Sequence, residues 1–333
     1  MTEPVIVADV VRSGFVEGHH RGSVVVTAPD GTVEWSVGVV DQPMFPRSSN
    51  KPMQALGMLR SGLNLEGELL ALAGASHSGE EFHLDGVRRI LAGVGLDESA
   101  LRTPPAYPID EQARDQWVRA GHVVESITMN CSGKHAAMIA TSVLNGWPIH
   151  DDAQAKSPDA VWGRDDYRSP EHPVQKAIRT AIEDSAGEKV SYVAVDGCGA
   201  PLLAISLAGL ARSFGLFASA APGSLEGRIA TAFRTHPEYA SGSRRDEAAL
   251  MRSVPGLFCK AGAESVYALG LADGRGIAVK VEDGAFRARA VVMAAVLKHL
   301  GIDNEVIDAQ AKLPLLGGGI QVGSVHASPT LFG

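Results

Sequence analysis

The strand-like runs of this sequence lie at its two ends, and that placement constrains the fold more than any other feature. Within residues 5 to 40, "SVVVTA" and "VEWSVGVV" flank Pro29-Asp30-Gly31, a turn signal between two β-like runs. In the C-terminal third, "ESVYALGLADGRGIAVKVEDG" reads as a hairpin with an Asp-Gly turn, and "RAVVMAAVLKHLG" follows as a helix. Between the ends the period is mostly helical: 48–62, several segments from 65 to 145, then 174–184, 202–214, 224–235 and 246–253. Strands at both ends with helices between predict an α+β fold. The terminal strands form one antiparallel sheet, covered by helices and joined by a central helical lobe over approximately 65–255. The 333 residues read as a single domain, without repeats or a flexible linker. Regular βαβ alternation and a G-x-G-x-x-G segment are both missing, which argues against a dinucleotide-binding fold.

Charge narrows the partners. The chain carries 30 basic and 38 acidic residues, a net charge of -8, with no run of Lys or Arg. That balance argues against nucleic acid or an anionic membrane surface. The N-terminal "MTEPVIVADVVRSG" lacks a basic segment followed by an apolar one, so it does not read as a signal peptide. No apolar run reaches the roughly 18 residues of a membrane span. Three cysteines, at 131, 198 and 259, are too few for a disulfide framework, and a cytoplasmic, reduced protein is expected.

Five short segments could carry chemistry. In "RSSNKPMQA", Ser48 and Lys51 form S-x-x-K, the spacing of nucleophile and base in serine β-lactamases. Pro52 is tolerated only in a first helical turn, which places the pair at a helix start. A serine nucleophile needs a base, and a lysine depressed by burial and by the helix N-terminus can supply one. Helix capping is the competing explanation. In "GASHSGEE", Ser78 and Glu81 fit a capping box, leaving Ser76 free for a site; His77 and His83 read as surface or packing residues. Lys260-Ala261-Gly262, expected directly ahead of a strand, has the form of the β-lactamase K-T-G, although a surface lysine at a strand start would look the same. Cys259 beside it is expected to pack in the core.

Cys131 in "MNCSGKHAAM" precedes a helix, which should lower its thiol pKa, and Lys134 follows one turn on. Cys198 lies in the Gly-flanked "VDGCGAP" after a strand. Two thiolates from such loops could hold zinc, or both could be structural. Asp196, at the strand's end, is a natural partner for a substrate ammonium. The Pro- and Asp-rich stretch 155–173 reads as a long surface loop, and the tail "GGGIQVGSVHASPTLFG" carries no usable motif.

Taken in order, Arg47-Ser48-x-x-Lys51-Pro52, Ala75-Ser76-His77-Ser78, Asn130-Cys131-Ser132-Gly133-Lys134-His135, Asp196-Gly197-Cys198 and Lys260-x-Gly262 resemble the asparaginase II family, the rhizobial, thermolabile type of L-asparaginase. The match spans most of the chain. It implies a fold similar to serine β-lactamases and glutaminases, and hydrolysis of L-asparagine to L-aspartate and ammonia. It further implies two Ser–Lys tandems, Ser48 with Lys51 and Ser76 with Lys260. A zinc site at Cys131, Lys134 and Cys198 is implied, with Arg47, His135 and Asp196 organising pocket and substrate. A cytoplasmic homodimer is implied as well. The long loop could reshape the pocket rim and substrate preference.

Two other readings compete. One is a β-lactamase or penicillin-binding acyl hydrolase, against which stand the missing signal peptide and S-D-N motif. The other is a non-catalytic thiol-zinc protein whose Ser–Lys pairs are caps and surface groups. The T-G-G-T-like segments of the threonine-dependent bacterial asparaginases are absent.

Overall fold

Valine and isoleucine crowd the first strands, and Ser13 and Gly14, with φ of 49° and 80°, turn them back on each other. The computed structural model describes residues 3–150, 162–163 and 165–333. In chain order the described elements begin with β1 (Val5–Arg12), β2 (Phe15–Thr27), β3 (Val33–Val37) and β4 (Pro43–Met44). A 3-10 turn (Arg47–Asn50) leads into α1 (Lys51–Arg60), α2 (Gly67–Ala73), α3 (Glu81–Ala92), α4 (Glu111–Arg119), α5 (Ser132–Leu144) and α6 (Pro173–Ala186). Next come β5 (Tyr192–Val195), β6 (Pro201–Ser206), α7 (Leu207–Ser219), α8 (Leu225–Thr235), α9 (Pro237–Ala240) and α10 (Asp246–Ser253). The chain ends with β7 (Phe258–Gly262), β8 (Val266–Gly270), β9 (Gly276–Val281), α11 (Phe286–His299), α12 (Glu305–Gln310), β10 (Lys312–Gly317) and β11 (Ile320–Ala327).

These elements form two compact units. The first comprises Met1–Ser49, Ile205–Ser219 and Ala249–Gly333. Its antiparallel sheet runs β10-β11-β1-β2-β9-β8-β7, with β3 also on β2, so strands from both chain ends interleave as the sequence pattern predicts. Val24, Val25 and Val26 of β2 are fully buried between β9 and β3. Helix α7 packs on β2, β8 and β9, and α11 on β1, β9 and β11. The first of these contacts is unusually close. A Cβ at Gly276 would stand 1.8 Å from the Ala211 carbonyl oxygen, so α7 can seat there only over glycine.

The second unit, Asn50–Ala204 with Ala220–Ala248, is mainly helical. Helix α5 is its axis. It is buried at every position from Ser132 to Ser142, and α1, α2, α3 and α6 pack around it. A helix buried on all sides carries whatever stands at its N-terminus into the interior. Hairpin β5–β6 pairs Tyr192 with Ala204 and Val195 with Pro201, closing on a turn at 196–200.

Five expectations are corrected. The stretch 202–214 is not one helix, because Pro201–Ser206 forms strand β6 before α7 begins. "PLLAIS" is buried throughout, and such a continuous apolar run looks alike in a strand and in a core helix. Lys260-Ala261-Gly262 lies within β7 rather than ahead of a strand. The tail, 317–333, is not without structure: it carries β11, which pairs with β10 on one side and with β1 on the other. Ser78 does not cap α3: the cap position is Glu80 without a side-chain bond, and the Ser78 hydroxyl donates to the Ser241 carbonyl at 3.1 Å. Of the long loop 155–173, residues 155–161 and 164 lie outside the described residues, and the surface position expected for it does not hold for Asp166, Tyr167, Ser169 and His172, which are buried.

Gly276→Ala should therefore cost about 3 kcal/mol of stability through overpacking. Gly18→Ala in β2, which meets nothing within 4 Å, should cost none. Urea denaturation of both variants checks the contrast.

Candidate active site and metal centre

Helix α1 begins at Lys51, with Pro52 in its first turn as the sequence requires. The Lys51 side chain does not reach solvent; it is 1% exposed. Its Nζ donates to the Ala75 carbonyl oxygen at 2.6 Å and to Ser76 Oγ at 3.0 Å. Ser76 stands in the segment between α2 and α3 and is itself buried. The structure therefore joins Lys51 to Ser76, a pair 25 residues apart in sequence.

Burial lowers the Lys51 pKa to about 8, with the Lys134 ammonium adding to the effect and the Cys131 and Cys198 sulfurs and Asp196 opposing it. An ammonium in low dielectric loses its hydration, and two hydrogen bonds replace only part of it. The result is a lysine that gives up its proton near neutrality.

The residue after Ser76 is fixed tightly. His77 N–H donates to the Asn130 carbonyl at 2.8 Å, and its ring Nε2 lies 2.8 Å from Ser132 Oγ. Ser132 Oγ in turn donates to the Ile127 carbonyl at 2.7 Å, which makes the serine the acceptor of the His77 Nε2–H bond. Burial, then His83 and Lys51, push His77 well below the usual range, and it stacks neutral on His83 with ring centroids 5.1 Å apart. Both histidines are interior residues, so a surface position is excluded for either.

The start of α5 supplies the second cluster. Cys131 occupies the N-cap, Lys134 and His135 follow within the first turn, and Cys198 comes from the β5–β6 turn. Cys131 Sγ, Cys198 Sγ and a His135 ring nitrogen lie within 4.8 Å of one another, and all three residues are buried. Lys134 Nζ is 3.3 Å from Cys198 Sγ. Asp196 Oδ2 is 3.6 Å from the same sulfur. Burial pushes the Cys131 thiol up, contrary to the expectation that its helix would lower it. Cys198 is instead the depressed thiol: a hydrogen bond from Cys131, then Lys134 and His135, outweigh its own burial. Burial works to lower Lys134, yet the Cys198 and Cys131 sulfurs and Asp196 together raise it.

Whether a metal suits this cluster can be tested on the donors themselves. Two sulfurs and an imidazole are a soft set appropriate to zinc. His135 Nε2 is buried and makes no hydrogen bond of ordinary geometry, although the ring interacts with the Cys198 sulfur. The donors fit. A buried Cys-His-Cys group that could hold a metal ion is therefore present. His135 sits four residues after Cys131, one helical turn on the same face, and that spacing was a legible signal for a third donor.

Arg47, Ser48 and Lys260 belong to the first unit. Arg47 adopts φ of 53°, unusual for a residue other than glycine, and its guanidinium lies 3.6 Å from Glu264. Gly262 lets β7 approach the turn carrying Ser48, since a Cβ there would stand 2.6 Å from the Pro46 carbonyl oxygen and 3.0 Å from Ser49 N. Lys260 Nζ is buried and donates to the Ala261 carbonyl at 2.7 Å. Tyr167, not singled out from sequence, places its hydroxyl 2.7 Å from His135 Nδ1.

The sequence profile of the L-asparaginase II family matches residues 8–327. No curated protein matches the chain. Among solved structures it is similar to a β-lactamase from Mycobacterium bovis, at 12% identity and TM-score 0.44, covering 84% of this chain and 94% of that one. It is also similar to Mglu in its native form, at 12% identity and TM-score 0.44, covering 86% of this chain and 66% of that one. EstCE1, a hydrolase with promiscuous acyltransferase activity, gives 12% identity and TM-score 0.38 over 83% of this chain and 93% of its own. Among the described residues no helix is long and apolar enough to cross a membrane.

With 13C at its Cε, Lys51 should titrate with a midpoint near 8, well below the exposed lysines, when followed by NMR. A midpoint above 10 would remove the base from this site.

Proposed function

The chain belongs to the L-asparaginase II family, and from that premise we propose that it hydrolyses L-asparagine to L-aspartate and ammonia, with Ser76 as nucleophile and Lys51 as base. It is an amidohydrolase acting on a small molecule. The observation that carries the assignment is the buried Lys51–Ser76 hydrogen bond of 3.0 Å around a lysine whose pKa is about 8.

Neutral Lys51 takes the proton of Ser76 Oγ as that oxygen attacks the side-chain amide carbon of asparagine. The resulting ammonium returns the proton to the amide nitrogen, the C–N bond breaks, and ammonia leaves an aspartyl ester on Ser76. Lys51 then deprotonates a water that attacks the ester, and protonates Ser76 Oγ as aspartate departs. The Ala75 carbonyl keeps Nζ in place through both half-reactions.

Lys51 serving Ser76 departs from the tandems that the resemblance implies, Ser48 with Lys51 and Ser76 with Lys260; Ser48 and Lys260 remain proposed site residues without the nucleophile and base roles, Arg47 remains a proposed binding residue, and Asp196 is the partner proposed for the substrate ammonium. Cys131 and Cys198, with Lys134 and His135 as candidate nitrogen ligands, would hold zinc. When bound, the metal would supply a Lewis acid that helps hold substrate. The Ser–Lys pair already furnishes nucleophile and base, so a metal-activated water is not required of it. The resemblance further supports a homodimer in the cytoplasm.

A coupled ammonia assay should register asparagine, and nitrocefin followed by its colour change should stay unopened; nitrocefin turnover without ammonia release from asparagine would favour the acyl hydrolase reading. Only deprotonated Lys51 can act as base, so kcat/KM should rise with pH through about 8 and then level. Ser76→Ala and Lys51→Ala should each lower kcat roughly a thousandfold or more, and Ser48→Ala should lose most activity. Ser78→Ala should keep activity and lose about 1 kcal/mol with its bond to Ser241. Chelation should raise KM more than it lowers kcat, the pattern of lost ground-state binding. A chelated, folded enzyme with no residual kcat would instead make the metal the source of the nucleophile.

A further inference from the structure

We propose that Glu264 is a positioning residue for Arg47: its carboxylate holds the guanidinium ready for the carboxylate of the substrate. The inference rests on the reading of Arg47 as a binding residue. All of its parts lie in the first unit. Among the described residues, four other than glycine have positive φ: Ser13, Arg47, Glu264 and Ser265. Ser13 turns β1 into β2. The other three meet at one place, because Arg47 Nη1 lies 3.6 Å from Glu264 Oε1. L-residues avoid this region, where Cβ crowds a carbonyl oxygen, and such outliers persist only where their surroundings fix them.

Glu264 and Ser265, with φ of 56° and 55°, belong to the turn between β7 and β8. Glycine or asparagine suits left-handed turn positions better than glutamate. The backbone therefore gives no reason for a glutamate here, and its side chain does. The turn is fastened by three bonds. Lys280 Nζ donates to the Glu264 carbonyl at 2.7 Å, Val281 N–H to the Ser265 carbonyl at 3.1 Å, and Ser265 Oγ to the Ala285 carbonyl at 2.9 Å. The carboxylate rests against Gly284, where a Cβ would stand 2.5 Å from Oε2. One carboxylate oxygen is thus seated on Gly284 while the other faces Arg47. On the arginine side, Ser49 closes the turn: its N–H and Oγ both donate to the Pro46 carbonyl, at 3.2 and 2.6 Å. With both backbones fixed, the ion pair limits where the flexible arginine side chain can go. A guanidinium carries five N–H donors in a planar fork, so a contact at Nη1 leaves others for an incoming carboxylate. The only anionic group of L-asparagine is its α-carboxylate. Glu264 acts through Arg47, by lowering the entropy lost when the guanidinium is ordered on binding.

Steady-state kinetics on the full-length protein test this. Glu264→Gln removes the charge at nearly the same size, and Glu264→Gly removes the side chain while relieving the strained φ. Both should raise KM for asparagine roughly 3- to 5-fold with kcat within about twofold, the pattern of ground-state binding lost with a partly exposed ion pair. Glu264→Gly should also unfold at or above the wild-type temperature, which separates its rise in KM from any loss of fold. Arg47→Ala should raise KM further, and adding Glu264→Gln to it should bring no second rise, since the carboxylate would have nothing to hold. If Arg47→Ala is too slow for a KM, calorimetric binding of L-aspartate supplies the same comparison. Unchanged KM in both Glu264 variants, a fall in kcat at unchanged KM, or a full second rise in the double variant would overturn the role of Glu264 while the Arg47 assignment stands. Unchanged KM in Arg47→Ala would overturn that assignment, and the role of Glu264 with it.

Discussion

A lysine ammonium held almost entirely out of water is the constraint to which the rest of the site answers. Taking that charge from solvent costs several kcal/mol, and the Ala75 carbonyl and Ser76 hydroxyl return only part of it. The protein settles the difference by letting Lys51 lose its proton near neutrality. A buried lysine of this kind is a poor structural element and a good base. In the proposed mechanism Ser76 would gain reactivity from the same arrangement, since its hydroxyl lies 3.0 Å from an amine that could take its proton.

The second cluster obeys the same logic with different atoms. Cys131, Lys134 and His135 all lie within one turn of the α5 start, and α5 is enclosed by four other helices, so its N-terminus brings sulfur, amine and imidazole into a dry interior together. There the groups divide the available charge. Cys198 carries the depressed pKa, Cys131 holds its proton, and Lys134 remains an ammonium facing sulfur. A metal would replace protons in this set, which ties the cluster's electrostatics to its occupancy. His77, neutral and stacked on His83, fastens the Ser76 segment to the same helix start through Ser132.

Much of the fold was legible because its signals are local. Alternating β-branched runs with Pro-Asp-Gly and Asp-Gly turns identified strands at both ends, and the 246–253 helix falls on α10. Where local pattern is ambiguous the reading failed, as in the apolar run that became β6; the tail, read as carrying no motif, turns at Gly318-Gly319 into β11. Ser78 had the spacing of a capping box, but burial gave its hydroxyl a distant carbonyl instead. The site shows the same division. Individual residues such as Lys51, Ser76 and Cys198 could be found from motifs, whereas the joining of Lys51 to Ser76 and of His135 to Tyr167 depends on packing between segments 25 and 32 residues apart. Spacing within one segment carries no information about such pairs.

If Lys51 activates Ser76, the enzyme passes through an aspartyl ester at that one hydroxyl. Rapid acid quenching during turnover of L-asparagine, followed by peptide mapping by mass spectrometry, measures this directly. The account predicts a peptide containing Ser76 that has gained the mass of one aspartyl group. The same group on the peptide containing Ser48, or turnover with no acylated peptide at all, would contradict it.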